Sequence, residues 1–391
     1  MNIALFSDSY IPEINGVAAS TDNLATTLRA HGHRVLVVTT NPFDDKVQIT
    51  DEMVRIPGPQ MKMFYGYRFA KFYNEEAAHA IERFHPDVIH IQTDFVVGFL
   101  GMFMARKFHC AIVYTFHTMV EDYTYYVTRG HFDRAARHIV RGFYQGITAQ
   151  YDAIVAPSDK ILDYLRMVGI DANVYIVPTG IDFQRFARKN EVARETAALK
   201  EKYGIAPNEF VILSLGRVAK EKSIDVLLRG YKEFLDQGEP VPTKFVVAGW
   251  GPAEKELKDL VHTLGIEDKV VFTGKVDPKE TQKYYWLGDC FASASITETQ
   301  GLTFMEAMAS SVLTLARYDD NLVGTIKDGQ TGFFFFDESD FKDKINHVIS
   351  LSEEAKAKVI EQALDAVDVY SLEHFFENIM EVYTRVQRQK W

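Results

Sequence analysis

The stretch ITETQGLTFMEAM, residues 296–308, holds two glutamates, Glu298 and Glu306, separated by seven residues. Residues 289–295 before it are small and apolar and predict a buried strand, and the composition of residues 304–309 predicts a helix. Glu298 is therefore expected in a loop and Glu306 in the first turn of the helix. A strand, a loop and a helix in this order form the repeating unit of a parallel α/β sheet.

The two glutamates are placed for separate tasks. A loop carboxylate such as Glu298 can accept hydrogen bonds from neighbouring hydroxyls of a sugar, and Glu306 can reach a ribose. The amides of Gly301, Leu302 and Thr303 lie at the expected start of the helix, where unpaired N–H groups attract a diphosphate. A second interpretation stays open, because Thr303-x-x-Glu306 is also a capping box, in which both side chains only satisfy the helix end.

The same alternation of strands and helices runs through both halves of the chain. In the first half we expect strands at 2–7, 33–39, 87–91, 111–115 and 151–156, and helices at 17–31, 67–84, 94–107 and from 158. The series lapses around 174–182, where Pro178 and Gly180 suit an interdomain hinge. It restarts at 210–215 and continues with strands near 244–248, 269–273, 289–294, 312–316 and 333–336.

This pattern predicts an α/β protein with two Rossmann-like domains, at 1–180 and 181–371, facing each other across a deep cleft. A final helix at 372–391 is expected to return to the first domain. The chain has 391 residues, more than one hydrophobic core usually supports, which agrees with two domains.

Composition narrows the class of protein. A net charge of −11 argues against nucleic acid as a partner. Cys110 and Cys290 are expected as buried thiols in a reducing cytoplasm. The first residues predict a strand and not a signal peptide, and no window of about 18 apolar residues suggests a membrane span.

Further candidate residues follow other predicted strands. Gly16 lies just ahead of the first predicted helix, where a glycine lets the backbone approach a phosphate or an acceptor, although turns before helices often carry glycine. His117 follows the strand at 111–115 and can contact a sugar hydroxyl, or it is a partly buried histidine satisfied by the backbone. Arg217 and Lys222 follow the strand at 210–215 and are expected to converge on a diphosphate, unless they belong to a solvated loop. The loop around Val276 can seat a base through its backbone groups.

Together these segments resemble the retaining GT-B glycosyltransferases of the family 4 type, which are marked by Glu-x7-Glu. The resemblance covers essentially the whole chain, and it assigns roles. It implies that Gly16 lies near the diphosphate and the acceptor, and that His117 contacts the donor sugar. Arg217 and Lys222 would hold the diphosphate and stabilise the leaving group. Glu298 would bind the sugar hydroxyls, and Glu306 the ribose. His117, Arg217, Lys222 and Glu298 are thus the expected catalytic residues.

Residues 6–17 and 115–123 look closest to bacterial 1,2-diacylglycerol 3-glucosyltransferases. That resemblance implies UDP-glucose as donor substrate, diacylglycerol as acceptor, and neither a tightly bound cofactor nor a metal for donor binding. A soluble sugar, another lipid or a protein acceptor stays open, as do a non-catalytic GT-B subunit and a sugar-nucleotide epimerase. The oligomeric state is left open as well.

A basic and aromatic segment suggests a membrane as partner. Read as a helix from about residue 131, it carries Arg134, Arg137 and Arg141 on one face and apolar side chains on the other, the composition of a helix that lies on anionic lipid. Phe64 and Tyr65 lie in a segment of aromatic and basic residues in the same domain, and they are candidates to border an apolar channel for the acceptor. An ordinary amphipathic helix packed on the sheet is the alternative. The expected location is therefore peripheral, on the inner face of the cell membrane.

Overall fold

The structure, a computed structural model, describes residues 1–13, 15–59, 68, 70–117, 142, 144–170, 173–296 and 298–390. The chain divides into two compact units. Unit 1 comprises residues 1–180 and 372–391, and unit 2 comprises residues 181–371.

Unit 1 is built on one eight-stranded sheet. Its strand order is β3-β4-β2-β1-β5-β6-β7-β8, and every pair is parallel except β3 with β4. The strands are β1 Asn2–Ser7, β2 Arg34–Thr40, β3 Gln48–Ile49, β4 Met53–Ile56, β5 Val88–Ile91, β6 Ala111–Thr115, β7 Ala153–Ala156 and β8 Val174–Ile176. The helices are α1 Gly16–Ala30, α2 Glu75–Phe84, α3 Val96–Phe108, α4 Asp159–Met167 and the C-terminal α13 Leu372–Lys390.

The C-terminal helix α13 belongs to unit 1. Phe375, Ile379 and Tyr383 are buried in one cluster with Ile3 of β1 and Val113 of β6. Burial of large side chains of this kind typically contributes about 1.5–3 kcal/mol each. The helix therefore covers one face of the sheet and is held by apolar packing.

Unit 2 has a second, six-stranded sheet, which is parallel throughout in the order β11-β10-β9-β12-β13-β14. Its strands are β9 Phe210–Leu215, β10 Thr243–Ala248, β11 Val270–Gly274, β12 Cys290–Ser293, β13 Leu313–Arg317 and β14 Phe333–Phe335. Its helices are α5 Phe183–Phe186, α6 Val192–Lys202, α7 Ile224–Asp236, α8 Glu254–Leu264, α9 Thr281–Leu287, α10 Leu302–Ala309, α11 Glu338–Ser350 and α12 Glu353–Val367. Separate buried clusters line the two faces of the sheet, as expected of a Rossmann-like layer.

Three details of the predicted secondary structure were wrong. The short strands β3 and β4 were missed, and β8 lies where the series was expected to lapse. The helix predicted at 67–84 begins only at Glu75, because the Asn74 side chain accepts a hydrogen bond from the amide of Ala77 and caps it. Gly16 is the first residue of α1, with Asn15 as its cap.

Candidate active site

The order of strands in unit 2 brings two distant loops together. The strands β9 and β12 are neighbours in the sheet, although the chain forms β10 and β11 between them. The connections after β9 and β12 therefore leave the same edge of the sheet and run to opposite sides. Ligands of open α/β sheets bind at such a switch point, beyond the carboxyl ends of the strands.

A salt bridge joins the two loops at this point. Lys222 Nζ lies 2.6 Å from Glu298 Oε1. Lys222 closes the short 3-10 turn Lys220–Lys222 after β9, and Glu298 lies in the loop between β12 and α10. Their side chains are 28% and 16% exposed, so the pair is partly withdrawn from water. One cation and one carboxylate, close to the surface and at a strand edge, can bind a phosphate and a hydroxyl side by side.

Arg217 lies in the same loop but has a different partner. Its guanidinium donates to Glu221, whose side chain is only 9% exposed. The structure thus gives each of the two predicted cations a carboxylate, and their convergence on a diphosphate stays a prediction. Glu221 was missed because a Lys-Glu-Lys run is typical of a solvated turn.

The glycine loops that follow β9 and β10 pack backbone against backbone. Gly249 follows β10 with φ +140°, and a Cβ atom there would lie 1.9 Å from the carbonyl oxygen of Gly216. Gly216 has φ +147°, and a Cβ there would meet nothing within 4 Å. The edge therefore exposes backbone at Gly216, where a side chain would otherwise stand.

The helix α10 begins two residues earlier than a capping box requires. Gly301 is its cap, with φ +82° and no side-chain hydrogen bond, and Leu302 and Thr303 are its first two residues. Thr303 is therefore not the capping residue, and the capping-box interpretation is wrong. Glu306 lies in the second turn and not in the first.

Glu306 hydrogen-bonds to a tyrosine that the sequence analysis missed. The Tyr285 hydroxyl donates to Glu306 Oε2 at 2.7 Å. Burial raises the pKa of Glu306, while the hydrogen bond from Tyr285 and the nearby charge of Arg185 act against this rise. No sequence signal marks Tyr285, which lies in the aromatic run of α9.

Val276, the predicted base contact, is 3% exposed and belongs to a hydrophobic cluster of unit 2. Its side chain is thus a core residue. A base contact in this loop, expected through backbone groups, stays a prediction.

In unit 1, the predicted His117 follows β6 and is half-buried. Its Nε2 lies 2.8 Å from Oε1 of Gln92, the residue after the neighbouring strand β5. Burial lowers the pKa of His117 to about 4, so the ring is neutral at pH 7. A neutral imidazole can donate or accept a hydrogen bond here, but it brings no charge. The alternative interpretation had proposed a backbone partner for His117, whereas the partner in this hydrogen bond is the Gln92 side chain.

Two family models match the chain in succession. The model described as Glycosyltransferase Family 4 matches residues 14–185, and the one described as Glycosyl transferases group 1 matches residues 195–365. The chain is 33% identical to the alpha-monoglucosyldiacylglycerol synthase of Streptococcus pneumoniae over 98% of its own length and 85% of that protein. The chain belongs to the GT-B glycosyltransferases of the family 4 type.

A second relative of this glycosyltransferase is the alpha-monoglucosyldiacylglycerol synthase of Acholeplasma laidlawii, which is 34% identical over 89% of this chain and 88% of that protein. The crystal structure of Anabaena HepE in complex with UDP-glucose matches with a TM-score of 0.75 and 16% identity, over 98% of this chain and 99% of that chain. The predicted family, enzyme class and GT-B fold are confirmed.

The predicted membrane residues of this glycosyltransferase, Phe64, Tyr65, Arg134, Arg137 and Arg141, lie outside the described residues. Within the described part of the chain, no helix is long and apolar enough to cross a membrane. The same part contains no group of three or more His, Cys, Asp or Glu side chains arranged to hold a metal ion.

Proposed function

We propose that this glycosyltransferase moves glucose from UDP-glucose to 1,2-diacylglycerol and makes an alpha-linked glucosyl lipid. The Lys222–Glu298 pair at the switch point of unit 2 carries the donor half of the proposal. The two relatives at one-third identity, both alpha-monoglucosyldiacylglycerol synthases, support the acceptor half. HepE, which shares the fold, is described with UDP-glucose. Because the glucose of UDP-glucose is itself alpha-linked, an alpha product means retention at the anomeric carbon.

Unit 2 acts as the donor domain in this proposal. Glu298 accepts hydrogen bonds from the glucose hydroxyls, and Lys222 and Arg217 bind the diphosphate. The amides of Gly301, Leu302 and Thr303 at the start of α10 add N–H donors to the phosphate oxygens. Glu306 binds the ribose, and the backbone around Val276 binds the base. Because two cations meet the diphosphate, we expect transfer to continue in the presence of a metal chelator.

In the proposed reaction, Lys222 and Arg217 matter most at the step in which UDP leaves. The bond between the anomeric carbon and the β-phosphate oxygen breaks, and the acceptor oxygen bonds to that carbon on the same face. The proton of the acceptor hydroxyl goes to the departing phosphate. Negative charge grows on the phosphate during this step, and Lys222 and Arg217 stabilise it.

Unit 1 acts as the acceptor domain. Gly16 at the start of α1 lets the chain come close to the diphosphate and the acceptor. His117 contributes a neutral hydrogen bond to the donor sugar, since its pKa of about 4 keeps the ring uncharged. A neutral group suits a hydroxyl partner, which carries no charge to be matched.

We also propose peripheral attachment to the inner face of the cell membrane, where diacylglycerol is available. The proposal rests on the sequence of residues 131–144, which predicts a helix with Arg134, Arg137 and Arg141 on one face. Replacing these three arginines by serine should abolish binding to anionic vesicles in a flotation assay while UDP binding persists. Unchanged flotation would remove the proposed membrane surface.

The test of function measures UDP release from UDP-glucose with and without diacylglycerol in phosphatidylglycerol-containing vesicles. Chromatography of the lipids follows. We expect release that depends on diacylglycerol, together with a new glycolipid, and loss of both in Glu298→Gln. Glu256→Gln is the matched control, because Glu256 pairs with Lys220 and is 67% exposed. Release that ignores diacylglycerol, or no glycolipid, would overturn the acceptor assignment.

A further inference from the structure

The side chain of Glu306 accepts a hydrogen bond from the buried Tyr285. The Tyr285 hydroxyl donates a hydrogen bond to Glu306 Oε2 at 2.7 Å. The other carboxylate oxygen, Oε1, takes no part in this contact. Tyr285 is 0% exposed, so its hydroxyl is out of reach of any ligand. The tyrosine is thus a partner of the glutamate and not of a substrate.

The ring of Tyr285 is fixed by aromatic neighbours. Phe186 packs edge-on at 5.8 Å between centroids, and Phe291 of β12 packs edge-on at 5.7 Å. Phe304 of α10 in turn packs edge-on against Phe291, with 5.5 Å between the ring centroids. A ring clamped between edge-on partners has little freedom to turn. The position of its hydroxyl is therefore set by the core of unit 2.

We propose that Tyr285 is a positioning residue that occupies Glu306 Oε2 and orients Oε1 toward the ribose of the nucleotide. This inference rests on the proposed function, in which Glu306 binds the ribose. The hydrogen bond from Tyr285 explains why a flexible glutamate on a short helix presents one defined oxygen to the ribose. It also makes the contact specific, since one fixed acceptor oxygen discriminates between a ribose that has hydroxyls and one that lacks them.

The chain offers a matched control next to Tyr285. Tyr284 is also buried, at 6% exposed, but its hydroxyl pairs with the Tyr203 hydroxyl at 2.9 Å. Tyr285→Phe and Tyr284→Phe therefore remove the same atom from adjacent positions of α9. Only the first change removes a hydrogen bond to Glu306.

The experiment measures the binding of UDP and of 2′,3′-dideoxy-UDP by calorimetry to wild type, Tyr285→Phe, Tyr284→Phe and Glu306→Ala. Wild type should prefer UDP, and Glu306→Ala should lose the preference. We expect Tyr285→Phe to bind UDP about tenfold more weakly and dideoxy-UDP as before, since a hydrogen bond to a charged group is weakened. Tyr284→Phe should keep the wild-type preference.

The outcomes separate the two ideas. If wild type prefers UDP and Glu306→Ala does not, but Tyr285→Phe behaves like Tyr284→Phe, the role of Tyr285 is overturned and the donor site stands. If wild type itself does not distinguish the two nucleotides, the ribose role of Glu306 falls, and this inference with it. Equal loss of affinity for both nucleotides in Tyr285→Phe would indicate a purely structural role and would also overturn the inference.

The pH dependence of UDP binding gives a second readout. The hydrogen bond from Tyr285 lowers the pKa of Glu306 against the effect of burial. Its removal should raise that pKa, so UDP binding in Tyr285→Phe should fall off at a higher pH as the solution is acidified. The curve of Tyr284→Phe should overlay that of wild type, and overlay of all three curves would contradict the proposal.

Discussion

The carboxyl edges of the two sheets follow the same plan but carry different chemistry. In each unit the first strand lies beside a strand formed much later, β1 beside β5 and β9 beside β12. In unit 2 this edge holds an ion pair, Lys222 with Glu298, and a second pair, Arg217 with Glu221. In unit 1 it holds the neutral pair His117 and Gln92, and burial raises the pKa of the two carboxyl groups beside it, Asp8 and Asp94. Under the proposed function, the same topology serves a charged diphosphate in unit 2 and uncharged hydroxyls in unit 1.

The largest effect should come from the charged edge. Under the proposed function, Lys222→Ala removes a cation that stabilises departing UDP, and we expect turnover to fall by about 10²–10³-fold, as for other preorganised charge-stabilising groups. The measurement is the initial rate of UDP release at saturating UDP-glucose. Lys220→Ala is the control, since Lys220 is 60% exposed and pairs with Glu256 at the surface. Similar rates for both variants would show that the edge does not stabilise the leaving group.

The backbone of the same edge gives the next effect. Gly249→Ala would place a Cβ 1.9 Å from the Gly216 carbonyl oxygen at φ +140°, so the two loops must separate. We expect a loss of at least about 2 kcal/mol in the free energy of unfolding, measured with urea. Gly238→Ala shares a positive φ but meets nothing within 4 Å, and it should cost less. Equal losses would mean that backbone conformation, and not close approach, dominates at Gly249.

Two buried histidines of unit 1 should make its stability sensitive to acid. Burial lowers the pKa of His90 to about 3 and that of His117 to about 4. The unfolded chain takes up these protons below about pH 6.5, while the folded chain does not. Stability is therefore present above pH 6.5 and is lost as the pH falls toward 4, by up to about 1.4 kcal/mol per pH unit for each histidine.

The free energy of unfolding at several pH values tests this point. His117→Gln should flatten its decrease between pH 6.5 and pH 4, because the amide binds no proton there. The exposed His79→Gln should leave the decrease as in wild type. If His117→Gln leaves the decrease in the free energy of unfolding unchanged, this would contradict the burial of a neutral ring at His117.

Much of the fold could be predicted because strands and helices alternate with clear periods in both halves. The strands β3 and β4 were missed since they have two and four residues, too few to show a period. Helix α2 was predicted too long because the apolar residues before Asn74 continue its pattern, and only the cap at Asn74 ends it.

The site could be predicted in part. Glu298 and Lys222 were both placed at strand ends, but their contact depends on β9 and β12 being neighbours, which no local pattern reports. The capping box was a sound local interpretation, and it fails because the cap of the helix is Gly301, two residues before Thr303. Tyr285 and Gln92 act through partners that are distant in sequence, so only the folded chain identifies them.

The configuration of the product tests the central claim most directly. We would isolate the lipid made from UDP-glucose and diacylglycerol and measure the proton coupling at the anomeric carbon by NMR. A small coupling between H1 and H2, which marks an alpha-glucosyl diacylglycerol, is the predicted result. A large coupling, which marks a beta linkage, or the absence of any glucosyl lipid would contradict the proposed retaining transfer.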